Sequence, residues 1–211
     1  MNVPGKSKQI KANRLNRIAR LLHIYTSMLM LLIMLFFTVT GLTLNHRDWL
    51  PDPPALQVQE LLLPAVLQDS EAWYQDPLSQ AVHMREWLRT SQGIYGVEVS
   101  YDWQTDEQLL LIDMKRPGGY SLVEVQPATG VLVLENQDYG VIAILNDLHM
   151  GRYSGTVWRV FIDISALLML LFTLTGLWLV LPQKKRRQRL LYISGLGMAI
   201  MATGYLWVLK G

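Results

Sequence analysis

Apolar and polar positions are unevenly distributed along this 211-residue chain. Three stretches, Leu21 to Asn45, Ile164 to Gln183 and Leu190 to Leu209, contain no Asp, Glu, Lys or Arg, and each is 20 residues or longer. A helix rises about 1.5 Å per residue, so roughly 20 residues cross a hydrocarbon core about 30 Å thick. The pattern therefore predicts three transmembrane helices, over 21–45, 158–183 and 190–209. The first is longer than the roughly 7–15-residue core of a cleaved signal peptide, and no small-x-small site follows it.

The middle of the chain has shorter periods. PDPPALQ, from Pro51, reads as a Pro-rich exit from the first helix. Residues 79–90 place Ala81, Val82, Met84, Trp87 and Leu88 at helical spacing. Four runs then look like strands: GIYGVEVSYDW, QLLLIDM, GYSLVEVQ and GVLVLEN. They are rich in branched and aromatic residues and separated by turn residues, as in QTDE, Pro-Gly-Gly and PATG. They predict an antiparallel meander of about four strands with a helix on one face. The expected architecture is a membrane α-helical protein of three spans, with a small α+β domain over 46–157. A basic N-terminus lies over 1–20 and a basic turn over 184–189.

Composition supports this division. Half the residues (51%) are hydrophobic and the mean hydropathy is +0.20, too oily for an ordinary soluble domain of this size. The net charge of +2 hides an asymmetry. All 17 acidic residues lie between Asp48 and Asp163, and the segment from Arg47 to Asp163 has only seven basic ones, a net of minus ten. The other twelve basic residues include Lys6, Lys8, Lys11, Arg14, Arg17, Arg20, the cluster from Lys184 to Arg189, and Lys210. Because cytoplasmic flanks are rich in Lys and Arg, the N-terminus and the KKRRQR turn should face the cytoplasm, and the acidic domain and the C-terminus the outside. The basic N-terminus runs straight into a membrane helix, which argues against a nucleic-acid arm. The chain has no cysteine, which excludes disulfides, cysteine-held iron–sulfur clusters and covalently attached c-type haem.

The extramembrane segment contains no nucleophile elbow, P-loop or dinucleotide fingerprint. Its acids read mainly as a solvated surface; they would also raise the local concentration of cations. Three of the four histidines touch membrane segments, and ionisable groups there are costly and mark functional sites. His23 lies near the start of the first span, His46 at its far end, and His149 just before the second. His83, on the candidate helix, reads as a surface histidine. Two imidazoles above and below a porphyrin would make an electron-transfer haem. Gly151 and Gly155 would let a flat macrocycle approach the backbone, and Arg152 could pair with a propionate. There is also an internal echo. The first span ends FTVTGLTL (Phe37 to Leu44) and the second FTLTGLWL (Phe172 to Leu179), and each follows a Leu-His pair, Leu22-His23 or Leu148-His149. Because the two helices run in opposite directions, this suggests an inverted repeat. Thr-Gly pairs also serve simply as helix contacts, as do the small residues of the third span.

These motifs resemble those of PepSY-associated transmembrane proteins: RLLHIYTSM leading to FTVTGLTL, SLVEVQPATGVLV in the outer domain, then LNDLHMGRYSGTVWRVFIDISALLMLLFTLTGLWL and the basic turn. The likeness covers nearly the whole chain, and the short three-helix form is most similar to the VciB-type ferric reductases. That resemblance implies haem b held by His149 and His23, more weakly by His46, and reduction of ferric iron or ferric chelates in the periplasm in support of a ferrous iron transporter. The electron donor would be a quinol or a cytoplasmic reductant. Three membrane histidines cannot supply two bis-histidine haems, so a homodimer with haem between subunits is expected. Two other readings stay open: a non-enzymatic membrane-anchored PepSY module that docks or regulates a periplasmic partner, and direct iron binding or transport.

Overall fold

The computed structural model describes residues 4–210; the side chains of 4–12 and of Lys185 lie outside that description, and with them the basic positions Lys6, Lys8, Lys11 and Lys185. Six α-helices and five strands follow one another as α1 (Pro4–Asn45), β1 (Gln57–Leu62), α2 (Ser70–Gln75), α3 (Pro77–Ser91), β2 (Glu98–Gln104), β3 (Leu109–Arg116), β4 (Gly119–Gln126), β5 (Val131–Asp138), α4 (Gly140–Met150), α5 (Gly155–Val180) and α6 (Lys184–Val208). By contacts the chain divides into two compact units. One is formed by residues up to Met34 and from Asp163 onward, the other by Leu35–Ile162.

In the Leu35–Ile162 unit, the four sequence-predicted strands are β2 to β5, and they form the expected antiparallel meander. A fifth strand, β1, joins it on the far side of β5, so the order is β1-β5-β4-β3-β2. The PDPPALQ exit thus leads into a sheet edge, with Val58 opposite Glu135 and Leu61 opposite Leu132. Alternate residues bury one face: Leu110, Ile112 and Met114 on β3, Ser121, Val123 and Val125 on β4, Leu132 and Leu134 on β5. Against that face pack Ala81, Met84 and Leu88 of α3 and Trp73 of α2, all fully buried. The helices start where side-chain oxygens cap them. Asp69 accepts from Glu71 N and Asp76 from Ser79 N, and Pro77 fills the first turn of α3, where a missing N–H costs nothing. The sheet's other face is half open, and α4 stands over it. Gly118, in the β3–β4 turn at φ +75°, lets α4 approach: a Cβ there would lie 2.3 Å from Ile144 Cγ1.

Three helices are long and apolar enough to cross a membrane, over Asn13–Asn45, Gly155–Val180 and Arg186–Val208. The KKRRQR cluster is the first turn and a half of α6 rather than a separate turn. On α1 the less exposed positions run Ala19, His23, Thr26, Met30, Ile33, Phe37, Thr40, in alternating steps of four and three. On α5 they run Trp158, Ile162, Ser165, Met169, Phe172, Gly176, Leu179. This is the 3.5-residue period of helices that pack side by side. Outside these seams the two helices show Leu, Met, Ile and Val to their surroundings, as lipid requires, and the apolar window of α6 buries nothing.

Candidate functional site

His23 sits on the seam of α1, half-buried against α5. Its ring stacks on Phe172, with centroids 4.5 Å apart and planes 10° off parallel. Its Nδ1 is 3.2 Å from both the Phe172 carbonyl oxygen and Thr175 Oγ1. A carbonyl only accepts, so Nδ1 carries the proton. Thr175 agrees: its single hydroxyl hydrogen goes to carbonyls of its own helix, Leu171 O at 2.8 Å or Phe172 O at 2.9 Å, which leaves the oxygen free to accept from the imidazole. Next to Thr175, Gly176 makes room for the ring. A Cβ there would lie 3.1 Å from His23 Cε1.

His149 is at the end of α4, a helix of its own ahead of α5, and meets α1 in the same way. Its Nδ1 is 2.6 Å from Thr40 Oγ1, whose hydrogen goes to Phe36 O at 2.6 Å. Phe37 meets the ring edge-on at 5.0 Å, and a Cβ on Gly41 would lie 3.5 Å from its Cε1. Around it, Thr43 donates to the buried Asn146, and the Trp158 indole donates to Leu148 O at the end of α4. The Phe172 carbonyl thus holds His23 as the Nδ1–H tautomer, and His149 takes the same form when the Thr40 hydroxyl donates to Phe36 O. Among the described residues, neither Nε2 has a hydrogen-bond partner in the chain.

The two arrangements are copies of one another. In each, a histidine from one Leu-His pair rests on the Phe, Thr and Gly of the other copy's echo: His23 on Phe172, Thr175 and Gly176, and His149 on Phe37, Thr40 and Gly41. The repeat was visible in the sequence, but the crosswise pairing was not. The signal was the spacing F-x-x-T-G, which sets the three side chains at i, i+3 and i+4 on one face of a helix.

The remaining candidates lie elsewhere. His46 follows the last residue of α1 and stacks on Trp49, three residues on, at 3.9 Å. His83 is exposed on α3. Gly151 and Gly155 have φ of +69° and +72°, which only glycine adopts at no steric cost. Gly151 ends α4 as its left-handed cap, with Arg152 N bonded to Asp147 O, so the backbone alone accounts for that glycine. Arg152 is exposed and lines an open cavity of about 900 Å³ between α4, the half-open sheet face and the exit of α1. No histidine lines this cavity.

An imidazole whose Nε2 is unbonded within the chain can ligate a metal ion or a metal held in a cofactor. Among the described residues no three His, Asp or Glu side chains gather as a metal-ion site. Lone imidazoles with a free Nε2 instead suit a group that brings most of its own ligands, as a porphyrin does, and hydrogen-bonded Nδ1–H groups are what orient ligating histidines elsewhere.

No curated protein and no solved structure matches the chain. The sequence model of the PepSY_TM-like family matches residues 17–209, which takes in both histidine copies, the sheet domain and all three spans. The chain is a membrane-spanning member of the PepSY_TM-like family.

Proposed function

We propose that this protein is a haem-b ferric reductase of the bacterial inner membrane, most similar to the VciB type. It would pass electrons outward to reduce Fe(III) to Fe(II) in the periplasm and so support ferrous iron uptake. The observation that carries the reading is the duplicated imidazole arrangement, with Nδ1 tied to a threonine and Nε2 left open. His23 and His149 would each hold haem iron through Nε2. Thr175 and Thr40 fix the tautomer and hold each ring's rotation, and Gly176 and Gly41 let the rings sit close to the neighbouring helix. A bound haem supplies a one-electron couple inside a low-dielectric layer. Both imidazoles are half-buried, and three membrane histidines cannot complete two bis-histidine haems, so the reading includes a macrocycle held against a second chain and hence a homodimer. His46, in contact with Trp49 at the far end of α1, is the further candidate ligand. The cytoplasmic N-terminus follows from the basic flanks of α1 and α6.

The reading is tested by haem content and reduced-minus-oxidised spectra of the detergent-purified protein, produced with ample haem, beside His23→Ala and His149→Ala. Bound haem in the wild type that is depleted in each variant, with reduced bands lost on adding ferric citrate, is the expected result. A colourless wild type overturns it.

A further inference from the structure

The cavity beside α4 has a chemistry the domain as a whole does not. Between Arg47 and Asp163 the chain has seven basic residues against 17 acidic ones, yet three of those seven, Arg47, Lys115 and Arg152, line this one space. Only two acids join them, and both are occupied. Asp113 bonds the Lys115 ammonium at 2.8 Å, and Asp147 accepts from Gly118 N at 2.8 Å. Among the described residues, neither the Arg47 nor the Arg152 guanidinium has an ion pair or hydrogen bond. Two free planar forks facing one cavity are a receptor for carboxylates. Apart from Asn146, the rest of the wall is mainly apolar or aromatic, with Leu122, Met150, Tyr120 and Tyr139. The volume is that of a small-molecule site. The Lys115 charge is durable, because the hydrogen bond it donates to Asp113 holds its pKa above the ordinary 10.5.

We infer that this cavity docks a net-anionic, carboxylate-bearing metal chelate, with Arg47 and Arg152 selecting its charge. The metal rests on the reductase reading; the charge preference rests on the cavity alone. Fe(III) hydrolyses near neutral pH unless hard oxygen ligands hold it, so it reaches such a site as a chelate, and the two unpaired guanidiniums disfavour a bare cation. The placement also serves electron transfer. Asn146 and Met150 of α4 line the cavity, while His149, on the same helix, meets Thr40. One helix, on the order of 10–12 Å across with its side chains, is what stands between them. One electron from the reduced protein converts the chelate's Fe(III) to Fe(II), still on its oxygen ligands. A quinol resets the protein over two such turnovers, becoming a quinone and releasing two protons.

Gallium(III) citrate tests the cavity without redox chemistry, by calorimetric titration of the full-length protein in detergent. Wild type should bind it, more weakly at raised salt. The Arg47→Gln/Arg152→Gln double variant should lose tenfold or more in affinity, and Arg85→Gln, on α3, should not change it. A neutral gallium hydroxamate chelate should bind the wild type at least tenfold more weakly than the citrate, a comparison that does not depend on any variant folding. Absence of citrate binding by wild type, equal binding by the double variant, equal binding of the neutral chelate, or complete displacement by an anionic phospholipid headgroup each overturns the inference. If gallium citrate fails to bind while ferric citrate still oxidises the dithionite-reduced protein, the cavity falls and the reductase reading stands. If gallium citrate binds as expected to a protein without haem, the reductase reading falls and the chelate site stands.

Discussion

At the scale of single residues, the two glycines under the histidines are not equivalent. At Gly41 an added Cβ would stand 3.5 Å from His149 Cε1, an ordinary contact, whereas at Gly176 it would stand 3.1 Å from His23 Cε1 and the ring would have to move. Gly41→Ala should therefore leave the His149 copy intact, and Gly176→Ala should displace His23. The check is haem retained after purification. Wild-type-like retention in Gly41→Ala with clear loss in Gly176→Ala is expected, and equal loss in both would contradict this geometry. The threonines act through the imidazole Nδ1–H. Thr40→Val and Thr175→Val remove the acceptor while keeping the shape, and the loss of an oriented ligand typically costs 10–100-fold in metal affinity. His23 keeps the Phe172 carbonyl as a second acceptor, so Thr40→Val should be the more damaging, read by haem affinity and midpoint potential. The histidines themselves were legible in the sequence because ionisable side chains are rare in spans. Their partners were not, because Thr and Gly in a membrane helix read equally well as packing.

At the scale of elements, the alternation of β2 to β5 and the period of α3 were plain from the chain, since one face of each is buried. Two elements were not. β1 follows three closely spaced prolines and shows mostly exposed residues, so its place comes from pairing with β5 rather than from any pattern of its own. α4 is an 11-residue apolar segment close to α5, and its separateness rests on Gly151 at φ +69° and on the Trp158 bond to Leu148. The α4 contact with the sheet depends on Gly118. Gly118→Ala combines a φ of +75° with a Cβ overlapping Ile144, and should loosen α4 and lower the melting temperature of the protein. Trp73→Ala is expected to cost more, about 3–5 kcal/mol, because it removes a fully buried ring and its indole bond to Leu67 O. Thermal unfolding of the two variants gives the order, and a Trp73→Ala variant more stable than Gly118→Ala would contradict it.

At the scale of the whole molecule, charge and hydropathy together read as three spans and one extramembrane domain, and the helices and sheet are found there. Charge also predicts sidedness. The chain has no cysteine, so single cysteines report it cleanly. Arg187→Cys should react with an impermeant maleimide only from the cytoplasmic side and Glu71→Cys only from the opposite side; the reverse pattern would invert the topology. Net charge was a poor guide to the cavity, because an acidic domain can gather three of its few basic residues at one place. The crosswise pairing of the two echoes gives the protein one imidazole arrangement in each compact unit, each tied to a Thr-Gly pair. The most direct test is the reduced-minus-oxidised absorbance spectrum of the purified full-length protein, followed by addition of ferric citrate. The account requires sharp reduced bands that disappear as Fe(II) forms and that are clearly weakened in His23→Ala and in His149→Ala. A protein that stays colourless with haem in excess, or whose spectrum survives both substitutions, would contradict it.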